Sequence, residues 1–165
     1  MTIFDELIAA NDAYLAGFPD GFPQRPVPPG RQLAVVTCMD SRLDLFGALG
    51  LQIGNAHLIR NAGGIATPDV LRSLAISQRK LGTTQVAVIG HTECGMSNFD
   101  DPAFRAELAA ESGQVPGWDV PGFSDVAVSV RESVSEIRNS GWLPARDSVA
   151  GFVFDVRTGK ISRVD

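Results

Sequence analysis

At 165 residues, with 44% hydrophobic and 20% charged side chains, the chain is long enough for one sizeable core and too apolar to be disordered. A net charge of −5, with no run of Lys or Arg, argues against a nucleic-acid partner. No stretch approaches the ~18 consecutive apolar residues that a membrane span requires, so no membrane partner is expected.

The first element in chain order is a helix, because Ile3, Phe4, Leu7, Ile8, Tyr14, Leu15 and Phe18 fall on one broad face and Thr2 is placed to cap it. Pro19, Pro23, Pro26, Pro28 and Pro29 then enforce an extended arm up to Gly30. A helix carried on such an arm packs either on a neighbouring subunit or back on its own domain. From Leu33 onward strands and helices alternate. Continuous β-prone runs span Leu33 to Cys38, Ala56 to Arg60, Gln85 to Gly90 and Gly151 to Val156. Strands this apolar are buried on both faces, as in a parallel sheet sandwiched by helices. Helices are expected over Pro68 to Lys80, Asp101 to Glu111 and Ser124 to Arg138. The first of these directs Val70, Leu71, Leu74 and Ile76 or Leu81 inward and ends at Gly82. The last repeats Val126, Val130, Val134 and Ile137 along one face. Thr158-Gly159 turns the chain into a short antiparallel strand, Lys160 to Val164. The expected fold class is α/β: a central, mostly parallel sheet of four strands plus a C-terminal antiparallel strand, flanked by helices. Residues 1–165 are expected to form one domain, with residues 1–30 as the N-terminal helix and arm.

Both cysteines of the chain and one of its two histidines lie at strand ends, in Cys38-Met39-Asp40-Ser41-Arg42 and His91-Thr92-Glu93-Cys94-Gly95. Two thiolates and one imidazole make three corners of a tetrahedral zinc site, and three protein ligands with an open fourth position mark the catalytic kind. In open α/β sheets, sites form beyond the carboxyl ends of strands where the strand order reverses. If the strand ending at Cys38 neighbours the strand before His91, both motifs enter one crevice. Two other readings of the cysteines stand beside this one. They can be small buried hydrophobes, or Cys94 can be a reactive thiol of lowered pKa. Asp40 and Arg42 have no task in either, unless they are an ordinary surface pair. Two cysteines are too few for a disulfide framework, and Asp5 and Glu6 interrupt the segment where a secretory leader is basic and then apolar, so a cytoplasmic location is expected. His57 reads as a core or edge histidine rather than a proton shuttle. Glu93 is either solvated or supports the ligands beside it. Trp118 and Trp142 read as core or interface packing.

Together with Ile59-Arg60-Asn61-Ala62-Gly63, these two motifs resemble, in order and spacing, those of the β-class carbonic anhydrases in their short form. The likeness runs from about Leu33 to Met96 and, more loosely, through the closing strands from Gly151. It implies an enzyme, a carbonate dehydratase, that reversibly hydrates carbon dioxide to bicarbonate and a proton. Cys38, His91 and Cys94 would ligate Zn²⁺. Asp40 and Arg42 would form a catalytic dyad in which the Arg holds the Asp off the metal, so that zinc-bound hydroxide, oriented by Asp40, meets CO₂. With the dyad broken, Asp40 would become the fourth ligand of a closed site. The resemblance also implies a homodimer or a higher even-numbered assembly, with part of the apolar substrate pocket supplied by the adjacent subunit. Proteins similar to this family hydrolyse carbonyl sulfide or carbon disulfide at the same kind of site, and these motifs do not separate the substrates. A non-catalytic zinc-binding module is the reading from another class.

Overall fold

β1 (Leu33–Cys38) is buried at five of its six positions and forms the middle of the molecule. The computed structural model describes residues 1–19 and 22–165. β2 (Ala56–Asn61) pairs with β1 in parallel on one side, and β3 (Gln85–His91) pairs with it in parallel on the other. β4 (Val149–Phe154) continues the parallel sheet, and the short β5 (Ile161–Arg163) closes it antiparallel, giving the five-stranded order β2-β1-β3-β4-β5. The fold class expected from the sequence is the one observed. The strand order reverses at β1, so the crevice between β1 and β3 is the switch point, and these are the two strands whose ends carry the cysteine and histidine motifs.

The helices follow the expected patterns. α1 (Ile3–Leu15) begins with Thr2 in a reciprocal capping box with Asp5. α3 (Pro68–Leu81) has Thr67 as its cap, Pro at its first turn and Gly82 in the left-handed conformation at its end. It buries Val70, Leu71 and Leu74, whereas Ile76 is 52% exposed and Leu81 half-buried, so Leu81 is the more covered of the two. α4 (Asp101–Ser112) buries no residue, and α5 (Val126–Asn139) buries Val130, Val134 and Ile137. The sequence pattern shows no sign of α2 (Leu45–Leu49), which is too short for helical periodicity and is held by Asp44 at one end and Gly50 at the other.

Several strand ends differ from expectation for reasons of pairing, β5 among them, which is limited to the three residues that pair with β4 rather than running from Lys160 to Val164. β3 runs through His91, expected to follow the strand, because His91 aligns with Phe154. β2 includes Asn61, which aligns with Cys38. β4 starts at Val149 rather than Gly151 because Val149 aligns with Val86, and Asp155 and Val156 belong to the turn that follows. The arm also departs from a purely extended path, making a 3₁₀ turn over Phe22–Gln24; Asp20 and Gly21 lie outside the described residues.

Both faces of the sheet are covered at the centre, but unequally. α3 and α5 cover one face, where Ala34, Val36, Val86 and Val88 pack on Val70, Leu74, Val130 and Val134. On the opposite face Leu43 and Leu45 close over Val35 and Ile89, and the part from Leu33 and Ala87 to Phe152 and Ile161 borders an open depression of about 590 Å³. α1 does not fold back to cover it: none of its residues is buried, and Ile3, Phe4, Leu7 and Ile8 are all more than 60% exposed. The two tryptophans, expected in a core or an interface, are not in the core, with Trp118 53% and Trp142 64% exposed. No described helix is long and apolar enough to cross a membrane.

Candidate metal centre

Parallel pairing of β1 with β3 carries Cys38 and His91 out at the same edge of the sheet, and a turn after His91 returns Cys94 to them. Glu93, at the apex of that turn, has φ 54, a left-handed conformation that costs about 1–2 kcal/mol for a residue with a Cβ. The donor atoms of Cys38, His91 and Cys94 all lie within 4.8 Å of one another, and all three residues are buried. The two sulfurs are 3.8 Å apart. Two corners of a tetrahedron with Zn–S bonds of about 2.3 Å would be separated by about 3.8 Å, so the sulfur spacing fits.

The histidine is set as a ligand would be. His91 Nδ1 donates to the carbonyl of Thr92 at 2.9 Å, which leaves the lone pair on Nε2. Nε2 is buried and has no hydrogen-bond partner, a state native interiors rarely tolerate unless something binds there. Burial pushes the Cys94 thiol above its ordinary pKa; the N–H of Met96 opposes this and the neighbouring Cys38 sulfur adds to it. Two adjacent buried sulfurs repel each other's ionisation, and a divalent cation is the partner that reverses this. The donor set therefore fits zinc and can hold it. The upward push of burial on this thiol lends no support to the reading of Cys94 as a reactive thiol of lowered pKa.

Asp40 and Arg42 stand at the mouth. Arg42 Nε donates to Asp40 Oδ1 at 2.9 Å and Nη2 to Oδ2 at 2.7 Å, a bidentate pair, and the Arg42 backbone N–H adds a third bond at 2.9 Å. These bonds from Arg42 hold the Asp40 carboxyl far below the usual carboxylate range. Asp40 Oδ2 is 3.7 Å from His91 Nε2, close enough to approach the cluster by a small rotation. Arg42 Nη2 donates in addition to the carbonyl of Glu93 at 2.9 Å, so the left-handed turn serves to aim that carbonyl. The Glu93 carboxylate lies 3.9 Å from Arg42 Nη1 and pairs with Arg157, in the turn after β4. Glu93 is thus neither free in solvent nor directed at the cluster; it braces Arg42.

His57 lies elsewhere. It aligns with Ala34, four residues before Cys38 on β1, or about 13 Å along the strand. Its Nδ1 is 2.8 Å from Ser77 Oγ, and burial lowers its pKa, which suits a neutral edge histidine rather than a proton shuttle. Gly64 has φ 68, and a Cβ there would lie 2.7 Å from the backbone N of Cys38, so only glycine lets this segment rest against the end of β1. Sequence reading missed the part played by Arg157, since a lone exposed arginine after a strand carries no motif. The Arg60 side chain, by contrast, sits inside a recognisable run.

Comparison with known proteins agrees with this geometry. A family model described as carbonic anhydrase matches residues 33–122. The β-carbonic anhydrase 1 of Mycobacterium tuberculosis is 43% identical over 164 residues, covering 99% of each chain. A carbon disulfide hydrolase of Acidithiobacillus thiooxidans is 32% identical over 159 residues, 84% of this chain and 79% of that protein. Among solved structures, a carbonic anhydrase from Streptococcus mutans superposes with a TM-score of 0.91 at 40% identity, covering 100% of this chain and 99% of the other.

Proposed function

Because this chain belongs to the β-carbonic anhydrase family, we propose that it reversibly hydrates carbon dioxide to bicarbonate and a proton, with Zn²⁺ held by Cys38, His91 and Cys94. The observation that carries the reading is the buried, unpartnered Nε2 of His91 beside two sulfurs at tetrahedral spacing. Zinc in such a site supplies Lewis acidity, which lowers the pKa of a coordinated water towards neutrality.

The remaining work falls to the chain. Arg42 occupies both oxygens of Asp40 and so keeps that carboxylate off the fourth position, which a free carboxylate would take. Asp40 Oδ2 then has a lone pair left to accept a hydrogen bond from the attacking oxygen and turn that oxygen's own lone pair towards the substrate. Leu43, Leu45 and Ile89, clustered with the two cysteines, make the surroundings apolar, which suits an uncharged triatomic substrate. The oxygen adds to the carbon of CO₂, bicarbonate leaves, and the proton passes to solvent. Two cysteines kept free of a disulfide suit a reducing compartment, so we place the enzyme in the cytoplasm.

The same arrangement accepts a second reading, favoured by the likeness to a carbon disulfide hydrolase: hydrolysis of carbon disulfide or carbonyl sulfide, whose linear shape matches that of CO₂. Stopped-flow CO₂ hydration, run with and without a zinc chelator and beside both sulfur substrates, separates the two. The expected result is CO₂ turnover that the chelator abolishes and added zinc restores. Faster turnover of a sulfur substrate would transfer the assignment to the second reading. A zinc-loaded protein inert towards all three would instead be a non-catalytic module.

We also propose a homodimer as the unit of assembly. The exposed apolar face of α1 and the open apolar face of the sheet lie on one chain and are complementary in character, so a second copy can cover both reciprocally. The Pro-rich arm supplies the reach.

A further inference from the structure

The run Ile59-Arg60-Asn61-Ala62-Gly63 brings a second guanidinium to the metal centre, and the chemistry above leaves it without a task. Arg60 aligns with Thr37, one residue before the end of β2. Its Nε–H donates to the carbonyl of Cys38 at 2.9 Å, and its Nη2–H donates to the carbonyl of Asp40 at 2.7 Å. One planar fork therefore spans the tripeptide that carries the first thiol at one end and the carboxylate at the other. The same run holds the residue between them, because the N–H of Met39 donates to the carbonyl of Asn61 at 2.8 Å. Gly64 presses on Cys38 from behind.

Asp40 lies past the last residue of β1, where the parallel ladder no longer constrains the chain. Without a tether, the main chain beyond Met39 could pivot and carry the Asp40 carboxylate away from the Cys38 sulfur, which the ladder holds. We propose that Arg60 is a positioning residue: it clamps the Cys38–Asp40 main chain, so that the sulfur stays at the cluster and the carboxylate stays at Arg42. Asp40 is then held from two sides, its side chain by Arg42 and its carbonyl by Arg60. The guanidinium is chemically suited to this, since its fixed fork meets two carbonyls at once, which the single ammonium of lysine does not. The role rests on the metal-site reading given above.

The test is zinc affinity, measured by competition with a chromophoric chelator on the full chain, together with the thermal midpoint of the zinc-free protein. Arg60→Ala is expected to weaken zinc binding about 10- to 100-fold, the usual effect of losing a group that orients a ligand. The zinc-free midpoint should stay within a few degrees of wild type, because Arg60 is exposed. Arg60→Lys should fall between the two, and Arg72→Ala, on the exposed face of α3, should match wild type. Zinc affinity of Arg60→Ala within twofold of wild type overturns the clamp. So does a weakening that merely follows an equal loss of stability in the zinc-free chain. If Arg60→Ala does not fold, Arg60→Lys decides, and wild-type affinity there overturns the proposal. Cys38→Ser in the same series keeps the two ideas apart. If it binds zinc as well as wild type, the metal site and the clamp both fall; if it loses zinc while Arg60→Ala does not, only the clamp falls.

Discussion

Replacing Arg42 by alanine removes the two side-chain bonds that, in the proposed mechanism, keep Asp40 off the metal, and leaves the backbone N–H bond in place. Fully buried, two charge-assisted hydrogen bonds would be worth about 1.5–3 kcal/mol each. The Arg42 side chain is 47% exposed and that of Asp40 16%, so solvent screening brings the pair down to about 1–2 kcal/mol in total. Asp40 Oδ2 already lies 3.7 Å from His91 Nε2, so little strain opposes its turning towards the ligands. A loss of about 1.5 kcal/mol moves the balance between free and metal-bound Asp40 about tenfold towards the bound form. Arg42→Ala should therefore keep close to the wild-type zinc content by elemental analysis while losing about tenfold or more in kcat/KM for CO₂ hydration by stopped flow. A fully metallated Arg42→Ala enzyme with wild-type hydration activity would refute the dyad and the reasoning built on it.

The remaining predictions concern pH, packing and assembly. Since bonds from Arg42 depress the Asp40 carboxyl, its contribution to stability is complete above an unfolded carboxyl pKa of about 3.9 and is lost only as pH falls through the lower folded value. Protonation of Asp40 therefore has no part in the activity profile near neutrality. Two thiolates cancel the formal charge of a divalent ion, so the midpoint of the pH–rate curve should lie above ~7, and an acidic limb clearly below that value contradicts the ligand set. Gly64→Ala combines a left-handed backbone with a Cβ 2.7 Å from Cys38 N; it should cost about 2–4 kcal/mol in denaturant unfolding and weaken zinc binding, and an unchanged midpoint would remove Gly64 from the site's support. Leu7→Glu with Ile8→Glu, placed on the exposed face of α1, should convert a dimer into monomers in sedimentation equilibrium, whereas a wild-type chain that is already monomeric would overturn the proposed assembly.

Much of this protein was readable before its structure. The apolar run from Leu33 to Cys38 is the observed β1, residue for residue, because a strand buried on both faces needs no alternation and ends where the polar loop begins. The helix cap at Thr2 and the stop at Gly82 are local chemistry, decided within a few residues. The type and spacing of Cys38, His91 and Cys94 already pointed to one cluster, and the fold brings the three together. Tertiary structure decided what depends on distant segments meeting. His91 became the end of a strand because Phe154 lies beside it, and Glu93 became a brace because Arg42 and Arg157 converge on it from two strand ends. Arg60 reached the carbonyls on either side of Met39 only because β2 lies alongside β1. The part of one sheet face left open departs from the full cover that hydrophobicity alone suggests. Periodicity reports that a face must be covered, but the path of the chain determines whether its own helices cover it, and here α1 is held away on its arm.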